Sequence, residues 1–255
     1  MKRYHLVLLA FVFLFNGCAE HSDKVIEQQK SPQRTADAAR INTQLGLAYL
    51  KQGNRSRAKS KLLNALSLAP KSPDVNAGFA YYLETSGDIE NADQYYQKAI
   101  SFAGNSGAQL NNYGAFLCRN KRYAEADKYF LKAVEDVKYL NVAGAYENAG
   151  LCAEANGNDS KALAYFKKAL VQDPQRKPSL VEALQLLVKQ HKDNSALDLL
   201  KQYPELTYQD SGLLKQGVML AEKTHDENTL SFYQARLQSM TNIASSQSGD
   251  QNDNG

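Results

Sequence analysis

The chain has 255 residues, of which 43% are hydrophobic and 22% charged, and its 30 Lys and Arg against 27 Asp and Glu give a net charge of +3. Removing residues 1–17 takes away Lys2 and Arg3 and leaves +1, without the basic excess that a nucleic-acid partner requires. The one long apolar stretch lies at the N-terminus, so no membrane span is predicted in the remainder.

Lys2 and Arg3 precede an apolar run from Leu6 to Phe15, too short for a bilayer-spanning helix and suited to a cleaved signal. The run ends in Phe15-Asn16-Gly17-Cys18, which resembles a bacterial lipoprotein signal, with a small residue directly before the cysteine. That resemblance implies a signal peptide over 1–17 and a diacylglycerol and N-acyl lipid on Cys18, with no other cofactor. Ala19 replaces the aspartate that favours inner-membrane retention in such lipoproteins, which implies the periplasmic face of the outer membrane. Residues 18–36 are polar and read as a flexible tether, with a root-mean-square span of roughly 25 Å.

From residue 37 a period of about thirty-four residues sets in. Ungapped segments starting at Ala39, Pro73 and Gly107 align Gly46, Ala80 and Gly114 at the eighth position. Leu62, Tyr96 and Phe130 align at the twenty-fourth, and Ala65, Ala99 and Ala133 at the twenty-seventh. A copy from Ala143, two residues late, carries Gly150, Ala162, Phe166, Ala169 and Pro174. The pattern resembles the tetratricopeptide repeat and predicts pairs of antiparallel helices, all-α, stacked as a right-handed superhelix over 37–240. Gly53, Gly87 and Gly157 fall where the first helix of a pair must end. After Arg176 the pattern weakens, and two further pairs are predicted as degenerate, giving about six. Residues 241–255, with a polar run from Ser245, read as a disordered tail.

Cys118 and Cys152 fall on first helices of neighbouring pairs. They are either a disulfide or two small buried thiols. No metal-ligand spacing accompanies them. No catalytic constellation occurs either: His191 and His225 sit at turn positions, and Glu84, Glu147 and Glu154 read as a solvated helix face, so no small-molecule substrate is expected.

The stretch from Ala39 to Ala133 carries a narrower resemblance. It contains Gln44-Leu45-Gly46-Leu47-Ala48-Tyr49-Leu50, Ala80-Tyr81-Tyr82-Leu83-Glu84 and Asn111-Asn112-Tyr113-Gly114-Ala115-Phe116-Leu117-Cys118. This is similar to the type IV pilus biogenesis and stability lipoproteins, the PilF/PilW pilotin family. The resemblance implies a partner, the type IV pilus secretin, and a role in its outer-membrane localisation and multimerisation, in pilus biogenesis and in twitching motility. An envelope adaptor for peptidoglycan hydrolases or barrel-assembly factors is the alternative that the general repeat pattern permits. In a groove formed by the first helices, Leu47, Leu50 and Tyr81 are expected to form an apolar strip, with Glu84, Asn111 and Arg119 beside it.

Overall fold

The computed structural model describes residues 31–249, with side chains described through Met240. Thirteen helices and no strand occur among the described residues. They fall into two compact units that divide between Gly104 and Asn105.

The first unit holds α1 (Pro32–Lys51), α2 (Arg55–Leu68), α3 (Pro73–Thr85) and α4 (Ile89–Phe102). Helix α1 begins inside the segment expected to be tether. Ser31 accepts a hydrogen bond from the Arg34 amide and Pro32 opens the first turn, a start signal that the polar composition concealed. Asn54 and Asp88 cap α2 and α4 in the same way. Ala58, Leu62 and Ala65 line the buried face of α2, and Ala92, Tyr96 and Ala99 that of α4.

The second unit runs from α5 (Gly107–Arg119) and α6 (Tyr123–Glu135) to α7 (Val142–Ala155) and α8 (Asp159–Gln172). It continues through α9 (Lys177–Lys189), α10 (Asp193–Gln202) and the one-turn α11 (Pro204–Thr207). The final pair is α12 (Ser211–Lys223) and α13 (Glu227–Gly249). Helix α13 carries the backbone to Gly249, past the boundary set at 240. A helix already nucleated propagates through Ser and Gln unless proline or glycine stops it, and neither occurs between Glu227 and Gly249.

Six times a first helix ends in the same turn, closed by a bond from an amide to the carbonyl five residues earlier. The donors are Asn54, Asp88, Arg122, Asn158, Lys192 and Asp226. The residue before each donor is left-handed: Gly53, Gly87 and Gly157 in three turns, Lys121, His191 and His225 in the others. The degenerate pairs therefore keep the turn geometry without the glycine that signals it.

Packing inside four of the pairs sets a glycine against a large residue. A Cβ on Gly46 would fall 2.5 Å from Leu62, on Gly114 2.9 Å from Phe130, on Gly150 2.6 Å from Phe166 and on Gly217 2.5 Å from Tyr233. Glycine at the eighth position therefore lets the helix backbone seat on the large residue at the twenty-fourth. Within the second unit, ion pairs also bridge successive repeats, Asp127 with Lys161 at 2.8 Å and Asp159 with Lys189 at 2.7 Å. Their lysines are exposed and screened by water, so these pairs fix register more than stability.

Candidate functional site

Of the candidate residues, Leu47, Leu50, Tyr81 and Glu84 belong to the first unit, and Asn111, Cys118, Arg119 and Cys152 to the second. Cys18 lies outside the described residues.

In the first unit, α1 and α3 are adjacent first helices. Leu47 leans toward α3, with its Cδ2 4.0 Å from the Cβ position of Gly78. Leu50 follows Leu47 by one turn, as Tyr81 follows Gly78, and Glu84 follows Tyr81. Leu47 and Tyr81 remain 37% and 39% exposed and Leu50 is half-buried. An aliphatic side chain and a phenol are thus left in water on a face that also carries a carboxylate. Glu84 is partly buried and accepts a 3.1 Å hydrogen bond from the Tyr96 hydroxyl, which anchors it to α4. The surface can hold an apolar segment that carries a donor group.

A second exposed surface of this unit escaped the sequence analysis. Ile41 and Leu45 on the outer side of α1 are 47% and 41% exposed. The residues at equivalent repeat positions, Val75 and Phe79 in α3 and Ala145 and Ala149 in α7, are buried. Helix α1 belongs to the first described pair, so it presents the face that later pairs cover. Comparing burial expectations position by position along the repeat was the available signal.

In the second unit, the Cys118 and Cys152 sulfurs are joined in a disulfide, with Cα atoms 5.7 Å apart. It ties α5 to α7. Asn111, expected beside the strip, does not stand open on the surface. It is buried, and its Oδ1 accepts a 3.0 Å bond from Asn148 Nδ2, so it too joins α5 to α7. The helical period places Asn111 at position five of α5 but does not reveal that it pairs with Asn148, at position six of the next copy. Arg119 is exposed in the last turn of α5, where a cation is favoured by the helix dipole.

A polar network on the same unit was also unforeseen. Arg176 donates to both carboxylate oxygens of Glu147, at 2.9 and 3.0 Å, and Ser179 donates to the same group at 2.8 Å. Glu147 is thereby committed to structure rather than to a paired-carboxylate site. Nearby, burial and then the charges of Glu154 and Glu147 push the Glu182 carboxyl up from its ordinary value. Among the described residues no group of three or more His, Cys, Asp or Glu is placed to hold a metal ion, and no helix is long and apolar enough to cross a membrane.

Two tetratricopeptide-repeat family models match the chain, over residues 43–108 and 107–170. The type IV pilus assembly protein PilF of Pseudomonas aeruginosa is 32% identical over 239 residues, spanning 91% of this chain and 92% of that one. An uncharacterized protein of Haemophilus influenzae is 32% identical over 148 residues, 58% of this chain and 79% of its own. The solved structure of Pseudomonas aeruginosa PilF aligns with a TM-score of 0.61 at 31% identity, covering 81% of this chain and 93% of that one. That of PilW, a widely conserved type IV pilus biogenesis factor, aligns at 0.58 with 28% identity, covering 79% and 92%. Similarity of this extent, in sequence and in the stacking of helix pairs, makes the chain a member of the PilF family of tetratricopeptide-repeat proteins.

Proposed function

We propose that this protein is a lipid-anchored outer-membrane factor of type IV pilus biogenesis. It binds the pilus secretin and promotes its localisation and multimerisation, and so supports twitching motility. The observation that carries the reading is the 32% identity to the pilus assembly protein PilF across 91% of the chain. The Gly17-Cys18 pair after the apolar run supplies the anchoring residue, and two or more acyl chains give stable attachment where one is marginal.

The repeats act here as a scaffold for a protein partner and carry out no catalysis. The client segment sits on the strip of Leu47, Leu50 and Tyr81. Its apolar side chains cover those residues and its polar groups meet Glu84.

A strain lacking this chain, read on gels that preserve secretin rings together with membrane fractionation, tests the function. Loss of multimers with monomers left in the inner membrane is expected. Complementation with Leu50→Asp and Tyr81→Ala together should leave protein levels normal and multimers absent. Normal rings in the deletion strain would refute the secretin role and turn attention to the envelope-adaptor alternative.

A further inference from the structure

The loop between α6 and α7 differs from its counterparts. It runs over residues 136–141, whereas the loops after α2, α4 and α8 occupy 69–72, 103–106 and 173–176. The extra length raises two aliphatic side chains fully into water: Val137 is 96% exposed and Leu140 99%.

The loop is held firmly enough that this exposure is built in. The Asp136 carboxylate accepts from the Gly107 amide at 2.7 Å and from the Lys138 amide at 3.0 Å. The Tyr139 amide closes a turn onto the Asp136 carbonyl at 2.9 Å. The Tyr139 side chain is half-buried over the start of α5, so close that a Cβ on Gly107 would fall 2.6 Å from it. Asn141 then caps α7 through the Gly144 amide. Asp136 and Tyr139 thus face inward as anchors, while Val137, Lys138 and Leu140 face outward.

We infer that this loop is a lipid-contacting tip, with Val137 and Leu140 entering the apolar edge of a bilayer and Lys138 remaining at the phosphate level. The chemistry favours lipid over a protein pocket. The tip is convex and aliphatic, so a protein partner would need a matched cavity, whereas a bilayer deforms around it. A cation between the two apolar side chains suits a headgroup layer, in which the lysine stem lies along the hydrocarbon and its ammonium stays wet. The inference rests on the reading of Cys18 as acylated, because the anchor keeps the folded body near the membrane and makes a two-residue contact sufficient.

Single reporter cysteines test it, since Cys18 carries lipid on this reading and Cys118 and Cys152 are bonded to each other. The full acylated chain, with Val137→Cys, Leu140→Cys or the exposed control Ser160→Cys, is labelled with an environment-sensitive fluorophore. It is then reconstituted on vesicles of phosphatidylethanolamine and phosphatidylglycerol with brominated acyl chains. Quenching is expected to be severalfold stronger at 137 and 140 than at 160, and Val137→Asp should abolish it for the reporter at 140. Equal, weak quenching at all three sites on chains that float with the vesicles would overturn the inference while leaving the anchor intact. Chains that do not float would remove the anchor instead. A tip reporter that becomes dry only when secretin is added would also overturn it and assign the loop to a protein partner.

Discussion

Gly150→Ala tests whether the small-against-large pairing is what seats α7 on α8. In an unhindered helix the substitution is favourable by roughly 1 kcal/mol, because alanine has the higher helix propensity. Here the new methyl would lie 2.6, 2.8 and 3.0 Å from three ring carbons of Phe166. Phe166 is fully buried and cannot rotate away, so relief requires the two helices to separate. Overpacking of this kind costs about 1–3 kcal/mol, and contact with a buried ring places it near the upper end. The net expectation is a loss of about 2 kcal/mol, or roughly 4–8 °C in Tm for a chain of this size. Urea denaturation followed by helical circular dichroism measures it. Phe166→Leu in the same chain removes the ring, so the double variant should show a coupling of at least about 1 kcal/mol in the restoring direction. Unchanged or increased stability for Gly150→Ala, or strict additivity in the double variant, would refute the reasoning.

Three further outcomes follow from single features. Cys152→Ser opens the cross-link to Cys118 across a sequence separation of 34. It should cost about 2–4 kcal/mol from the unfolded-state constraint, read as the difference in urea midpoint, and add one titratable thiol at Cys118. His191→Gly relieves a left-handed non-glycine residue at φ 55. The strain removed exceeds the backbone freedom that glycine gains, so a stabilisation of about 0.5–1 kcal/mol is expected, whereas a loss would mean that the imidazole makes an unrecognised contact. Glu182 has its folded pKa raised, chiefly by burial and then by Glu154 and Glu147. Its contribution to stability is therefore present below the ordinary carboxylate value and lost as pH rises through the folded one. Glu182→Gln should match the parent in acid and exceed it at neutral pH, and parallel curves across that range would show that burial is not costing it.

The all-α fold and the six helix pairs were legible because the repeat fixes local geometry and packing together. Glycine at the eighth position and a large residue at the twenty-fourth belong to one contact, so finding both in register predicts the contact itself. The degenerate pairs were harder to read for a physical reason. A left-handed turn costs a histidine only about 1–2 kcal/mol, so His191 and His225 can stand where glycine is the signal. Boundaries suffered likewise: Ser31 and Pro32 start a helix, yet they sit in a polar stretch that composition reads as tether.

The candidate site divides along the same line. The exposure of Leu47 and Tyr81 follows from the repeat positions they occupy, because position on a first helix determines which way a side chain points. The burial of Asn111 was not legible because its surroundings depend on Asn148, a full repeat away, and no period states which two side chains of neighbouring repeats will pair. The loop from Asp136 to Asn141 escaped because it is the place where the period breaks. An insertion carries no repeat position, so nothing in the pattern says whether Val137 and Leu140 face in or out; the hydrogen bonds of Asp136 and the seat of Tyr139 on Gly107 decide it. In a repeat protein the regular positions are constrained mainly by the stack. Residues that leave the period while their backbone stays tightly held are therefore the ones whose exposure asks for a partner.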